Sequence, residues 1–175
     1  MDVPPTDNRR RPGNSQGAGV QPPAVRASAF IVREGRILLV RQQNAVHSYW
    51  LLPGGGVERG ESLTAAVARE TREECGLDVE VMDTPLALVE SISPDAGKSR
   101  HLVQLVFAAR LPADGQAVPG DPAVREVGWF TVEELGSLVI HPPIHDLLVS
   151  WSAHFGRSVG GPLPPFVAVG RRWAD

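Results

Sequence analysis

The chain has 175 residues, a length that suits one domain with a sizeable core. A hydrophobic fraction of 42% is ordinary for a globular protein, and a net charge of -3 argues against a long nucleic acid as partner. The single cysteine, Cys75, excludes an internal disulfide and fits a reducing compartment. The opening residues Met1-Asp2-Val3-Pro4-Pro5 contain no signal-peptide-like apolar run. No segment approaches the roughly 20 apolar residues that a membrane helix needs. The expectation is therefore a soluble, cytoplasmic protein without a membrane partner.

Residues 1–24 are rich in Pro, Gly, Asn, Gln and Arg, with almost nothing apolar to bury, and are expected to be a disordered tail. Arg9-Arg10-Arg11 lies in it as a short solvated run. The folded domain is expected over 25–156. It opens with two strands, Val25–Val32 and Arg36–Arg41, joined by a turn at Glu34-Gly35. A short apolar segment at Tyr49–Leu52 is halted by Pro53 and three glycines. A helix follows from about Ser62 to Cys75, with Ser62 as N-cap and Gly76 as its left-handed terminator.

Strands are expected over 79–90, 100–111 and 124–130, the second of them central because both its faces are apolar. Residues 115–122 read as a loop. Thr131 and Glu134 have the spacing of a capping box and predict a short helix. Ile144, Leu147, Leu148 and Trp151 then recur along one face of a last helix. The Gly/Pro-rich residues 157–175 are expected to be an irregular extension. Strands and helices mixed without regular alternation indicate an α+β fold.

The informative region is Gly54-Gly55-Gly56 through Glu61, and the helix that follows it. Leu63, Ala66 and Val67 form an apolar stripe that runs into Glu70 and Glu74, with Glu73 beside them. Like charges at Glu70 and Glu74 repel at i,i+4, and all three acids sit near a helix C-terminus that disfavours negative charge. Arg69 and Arg72 point to other azimuths and relieve only part of this. A divalent cation held by carboxylate oxygens is the simplest compensation. The three glycines permit close approach of the backbone to a ligand, and a backbone carbonyl there is a further candidate ligand.

Gly55, Glu61 and the run from Arg69 to Leu77 resemble the Nudix box, with its fixed Gly, Glu and Arg residues at the right spacing. Thr71 departs from the pattern, which prefers a bulky aliphatic residue there. The resemblance extends over roughly residues 25–155. It implies a Nudix fold, an α/β/α sandwich with a mixed sheet in which the box forms a loop-helix-loop. It also implies hydrolysis of a diphosphate linkage in a nucleoside-diphosphate-containing small molecule. The metal, Mg²⁺ or Mn²⁺, would be held by Glu70, Glu73, Glu74 and the Gly55 carbonyl. Glu61 would brace the loop against the helix, and Arg69 would orient the glutamates. The general base is open between Glu70 or Glu74 and a residue outside the box, namely Glu126, Glu90 or Asp95. Family members often dimerise, so a homodimer is compatible with the resemblance.

For substrate binding the candidates are Arg41 and Trp50. Trp50 has either a base or the core as its partner, and Arg41, like Arg100, either a phosphate or solvent. His141 and His145 have zinc-like spacing but Pro142-Pro143 between them and no third ligand. Cys75 reads as a packing residue. Pro94 lies 17 residues after Leu77, close to the marker spacing of ADP-ribose hydrolases but not at it. ADP-ribose-like sugars and (d)NTPs are the leading substrates. The competing class is a Nudix-fold ligand-sensing or protein-binding module; retention of all three acids favours the hydrolase.

Overall fold

The computed structural model describes residues 22–43, 47–92, 101–112, 115–155 and 163–172. Nearly all of the expected N-terminal tail, including Arg9-Arg10-Arg11, lies outside them, as do Pro94, Asp95 and Arg100. In chain order the elements are β1 (Ala24–Arg33), β2 (Arg36–Gln43), β3 (Ser48–Leu51), β4 (Gly54–Gly56), α1 (Leu63–Cys75), β5 (Glu80–Ile92), β6 (His101–Arg110), β7 (Val124–Phe130), α2 (Val132–Leu135), α3 (His145–Phe155) and β8 (Val167–Arg172).

Glu34 and Gly35 both take positive φ, 51° and 73°, as a two-residue hairpin turn requires between β1 and β2. Only Val32↔Ile37 and Arg33↔Arg36 pair beyond this turn, and the two strands then part. β1 continues parallel to β6 and antiparallel to β4, whereas β2 lies between β3 and β7. The parting matters for function, because α1 presents its acids where β4 and β2 come near each other.

Side-chain alternation along β1 and β2 builds two core layers. Ala27, Ala29, Ile31, Leu38 and Val40 pack with Ala66, Val67 and Cys75 of α1. Phe30, Ile37 and Leu39 face the other way and pack with Leu147, Leu148 and Trp151 of α3. Phe30 meets Trp151 edge-on at 5.4 Å between ring centroids. The result is an α/β/α sandwich around a mixed sheet. β6 is central, flanked by β1 and β5.

Three local expectations are corrected. The C-terminal extension is not irregular throughout: β8 adds to the sheet parallel to β5, from Ala87↔Val167 to Ile92↔Arg172. Val167 and Val169 pack against the α3-side core, an alternation hidden in the sequence by the Gly/Pro-rich stretch before it. The glycine triplet is not a loop but a short strand, paired from Arg26↔Gly56 to Ser28↔Gly54. Finally, β5 runs further than expected, to Ile92, with register shifts on both sides of Pro85. Proline has no N–H for the ladder, so an irregularity accommodates it.

Candidate active site

Ser62 starts α1 by accepting a hydrogen bond from the Ala65 N–H at 3.1 Å. Gly76 ends it at φ 67°, its N–H donating to the Arg72 carbonyl at 2.9 Å. Loop residues 115–122 cover that end: the Val118 N–H donates to the Cys75 carbonyl at 3.0 Å and the Gly120 N–H to the Glu74 carbonyl at 3.2 Å. A Cβ on Gly120 would stand 2.3 Å from the Glu73 carbonyl oxygen, so only glycine allows this approach.

The three acids of α1 have different surroundings. Glu73 is half exposed, with 52% of its side-chain surface accessible, Glu70 is at 16%, and Glu74 is buried. Arg69 ties the outer two to the glycine strand. Its Nη1 donates to Glu70 at 2.8 Å and to Glu73 at 3.0 Å; its Nη2 donates to Glu61 at 2.8 Å and to the Gly56 carbonyl at 3.0 Å. Helix azimuth alone therefore understated Arg69, whose long side chain reaches across the helix surface; Arg72 does point elsewhere, to Asp78. Glu61 also accepts from the Glu58 N–H at 2.6 Å. The bond to Arg69 holds the Glu61 carboxyl below its ordinary range, and the same contact raises the Arg69 guanidinium.

Glu74 accepts from the Gly54 N–H at 2.8 Å and from Gln42 Nε2 at 3.2 Å. Burial pushes its pKa up to about 7, opposed by the Arg26 charge and the Gly54 N–H and reinforced by Glu70 and Asp121. Gly55 has no room for a side chain: a Cβ there would lie 2.2 Å from Glu70 Cδ. Gly54 is equally constrained at φ 147°, with its missing Cβ 2.3 Å from the Ala27 carbonyl oxygen.

Two residues that the sequence reading passed over belong to this cluster. Arg26 is partly buried, with Nη2 at 3.4 Å from the Leu52 carbonyl. Burial lowers its pKa, while Glu74, Glu70 and Tyr49 favour its charge. Its signal was an arginine in a strand of otherwise apolar and small residues. Gln42, the other, follows Arg41 and so takes the opposite face of β2. The register makes this decisive: Gln42 stands opposite Tyr49, and Arg41 opposite Trp50.

Arg41 and Trp50 are consequently not brought to the acids. Tyr49 packs with the α1-side core and Trp50 with the α3-side core. Arg41 pairs with Glu126 at 2.8 Å and lies over the Trp50 ring at 5.9 Å, while Trp50 meets Phe130 edge-on at 4.6 Å. Glu90 pairs with His101 at 2.8 Å. His145 contacts the Leu138 carbonyl at 3.1 Å, and the His141 ring packs on Tyr49. Cys75 is buried, and burial lifts its thiol to about 12, leaving it a packing group.

Among the described residues, no three His, Cys, Asp or Glu side chains converge on one point in a metal-holding arrangement. The reason is visible: Arg69 engages Glu61, Glu70 and Glu73, and Glu74 is turned to Gly54 and Gln42. The donor chemistry nonetheless fits a hard divalent cation, with carboxylate oxygens beside a glycine strand packed against Glu70.

A family model described as NUDIX domain matches residues 22–151. The chain belongs to the Nudix family of hydrolases. Among its relatives is an ADP-ribose pyrophosphatase of Methanocaldococcus jannaschii, 37% identical over 117 residues that make up 66% of each chain. Another is the NAD-capped RNA hydrolase NudC of Stutzerimonas stutzeri, 28% identical over 77% of this chain and 45% of that one. The chain thus spans just under two thirds of the first relative's length and less than half of the second's. The crystal structure of a MutT NUDIX hydrolase from Burkholderia pseudomallei superposes with a TM-score of 0.61 at 33% identity, covering 74% of this chain and 98% of that one. The Nudix fold therefore accounts for both core layers, and the Nudix box is the β4–α1 unit described above. No helix among the described residues is long and apolar enough to cross a membrane.

Proposed function

We propose that this Nudix protein hydrolyses the diphosphate linkage of a nucleoside diphosphate derivative, with ADP-ribose or a related nucleotide sugar as the first choice and (d)NTPs as the second. The observation that carries the reading is the acid cluster of α1, braced by Arg69 and set against Gly55, where a side chain would displace the Glu70 carboxylate. The relative named ADP-ribose pyrophosphatase supports the order of substrates.

Glu70, Glu73, Glu74 and the Gly55 carbonyl would hold Mg²⁺ or Mn²⁺. When bound, such an ion neutralises phosphate charge and acidifies the attacking water. Arg69 keeps Glu70 and Glu73 at fixed distances from the Gly56 carbonyl, and Glu61 anchors Arg69 in turn. Loading requires Glu70 and Glu73 to share their oxygens with Arg69 rather than give them over entirely. Glu70 and Glu74 are the proposed proton acceptors. Glu126 and Glu90 are engaged by Arg41 and His101.

The test is product release from ADP-ribose, nucleotide sugars, dinucleoside polyphosphates and (d)NTPs, with Mg²⁺, Mn²⁺ or EDTA. Cleavage of ADP-ribose that stops with EDTA is the expected result, and Glu73→Gln should lower turnover by at least about tenfold. Metal binding without turnover on any of these compounds would favour the ligand-sensing class instead.

A further inference from the structure

Tyr49 stands directly opposite Gln42 in the β2–β3 ladder, so their side chains rise from one face with Cβ atoms roughly 5 Å apart. Gln42 reaches Glu74 at 3.2 Å, and the partly buried Arg26 guanidinium lies within electrostatic reach of Glu74, Glu70 and Tyr49. Tyr49 is therefore the aromatic residue of β3 that shares a neighbourhood with the acids. Trp50, one residue on, faces the other layer and is already packed by Phe130.

Tyr49 is not alone. The His141 ring lies against it, 5.0 Å between centroids and inclined at 59°. The pairing is held by backbone, since the Trp50 N–H donates to the Val139 carbonyl at 2.7 Å and the His141 N–H to the Trp50 carbonyl at 2.8 Å. Both rings are only part-buried, so each retains accessible surface. Burial and the nearby His47 hold His141 below its ordinary range.

We propose that the Tyr49–His141 pair is the platform on which the nucleobase of the substrate lies, placing the diphosphate toward Gln42 and the acids of α1. The inference rests on the nucleoside diphosphate reading above and adds its specificity-determining residues. With the rings inclined at 59°, one can stack flat on a base while the other meets it edge-on, and the backbone bonds at Trp50 and His141 hold the two segments of the pair in place. The diphosphate end is then served by charge and metal alone.

The test separates the base from the phosphate. Calorimetry would measure binding of AMP and of ribose 5-phosphate, each a phosphomonoester, to the wild type, Tyr49→Phe, Tyr49→Ala and His141→Ala. The wild type is expected to bind AMP more tightly than ribose 5-phosphate. Tyr49→Ala and His141→Ala should each weaken AMP about tenfold, within the range of one base–aromatic contact, and leave ribose 5-phosphate unchanged. Tyr49→Phe keeps the ring and should stay within about twofold of wild type, which also shows that the fold tolerates changes here. Equal wild-type affinity for the two compounds, or equal weakening of both by Tyr49→Ala, would overturn the proposal. Failure of the hydrolase reading is seen separately, as absence of wild-type turnover on the substrate panel.

Discussion

Gly55 shows how tightly single residues are drawn in this site. A Cβ 2.2 Å from Glu70 Cδ cannot be absorbed without moving the carboxylate. Gly55→Ala should therefore cut kcat by about 100-fold, as displacements near 1 Å do, with its circular dichroism spectrum unchanged. Glu74 allows a second prediction. Its folded pKa of about 7 lies above the ordinary 4.5, so the fold favours the protonated form. Stability from this group is fully present below the unfolded pKa and is lost as pH rises through the folded one. For protein freed of cations, the unfolding free energy should fall by up to about 3 kcal/mol between about pH 4.5 and 7, the melting temperature should decline with it, and Glu74→Gln should flatten that decline. A melting temperature that rises across this window would contradict the burial assigned to Glu74. Glu70, Glu73 and Glu74 were legible because helical spacing is a property of the sequence itself. Arg26 and Gln42 were not, since they meet Glu74 only through the parting of β1 from β2.

At the scale of elements, the two ends of α1 have different meanings. Ser62 caps the N-terminus and touches none of the acids, so Ser62→Ala should cost about 1 kcal/mol of stability and leave turnover as it was. Gly120 closes the other end against the Glu73 carbonyl. Gly120→Ala should cost a similar amount, about 1–3 kcal/mol, and lower turnover as well, because the last turn carries Glu73 and Glu74. Melting curves alongside kcat for the two variants would separate them, and parallel losses in both would refute the assignment. The caps and the Thr131–Glu134 box were readable because each is complete within a few residues. The glycine strand was not: glycine is a poor strand former, and β4 exists because β1 offers it a ladder, with β1 leaving no room for a side chain at Gly54 and the Glu70 carboxylate crowding one at Gly55.

The whole molecule owes its architecture to pairings between distant parts of the chain. β1 lies beside β6, with Ala24 opposite Leu102, and β5 lies beside β8. The pattern of strands and helices indicated an α+β or α/β/α sandwich and the Nudix resemblance implied the mixed sheet, but β8 has too short a pattern to be recognised without its partner. Truncation after residue 162 should lower the melting temperature by about 5–10 °C and increase self-association in size-exclusion chromatography, because β5 is left with an open edge. Turnover well below the melting temperature should stay within about twofold, since β8 joins the sheet at its far end, beside β5. The order of the strands also has a consequence in time. The acids, their arginine and the aromatic pair all precede the end of α3, while the strand that seals β5 follows it. On the ribosome the catalytic half can therefore assemble while β5 still presents bare backbone amides to the surroundings, and the emergence of β8 closes that seam.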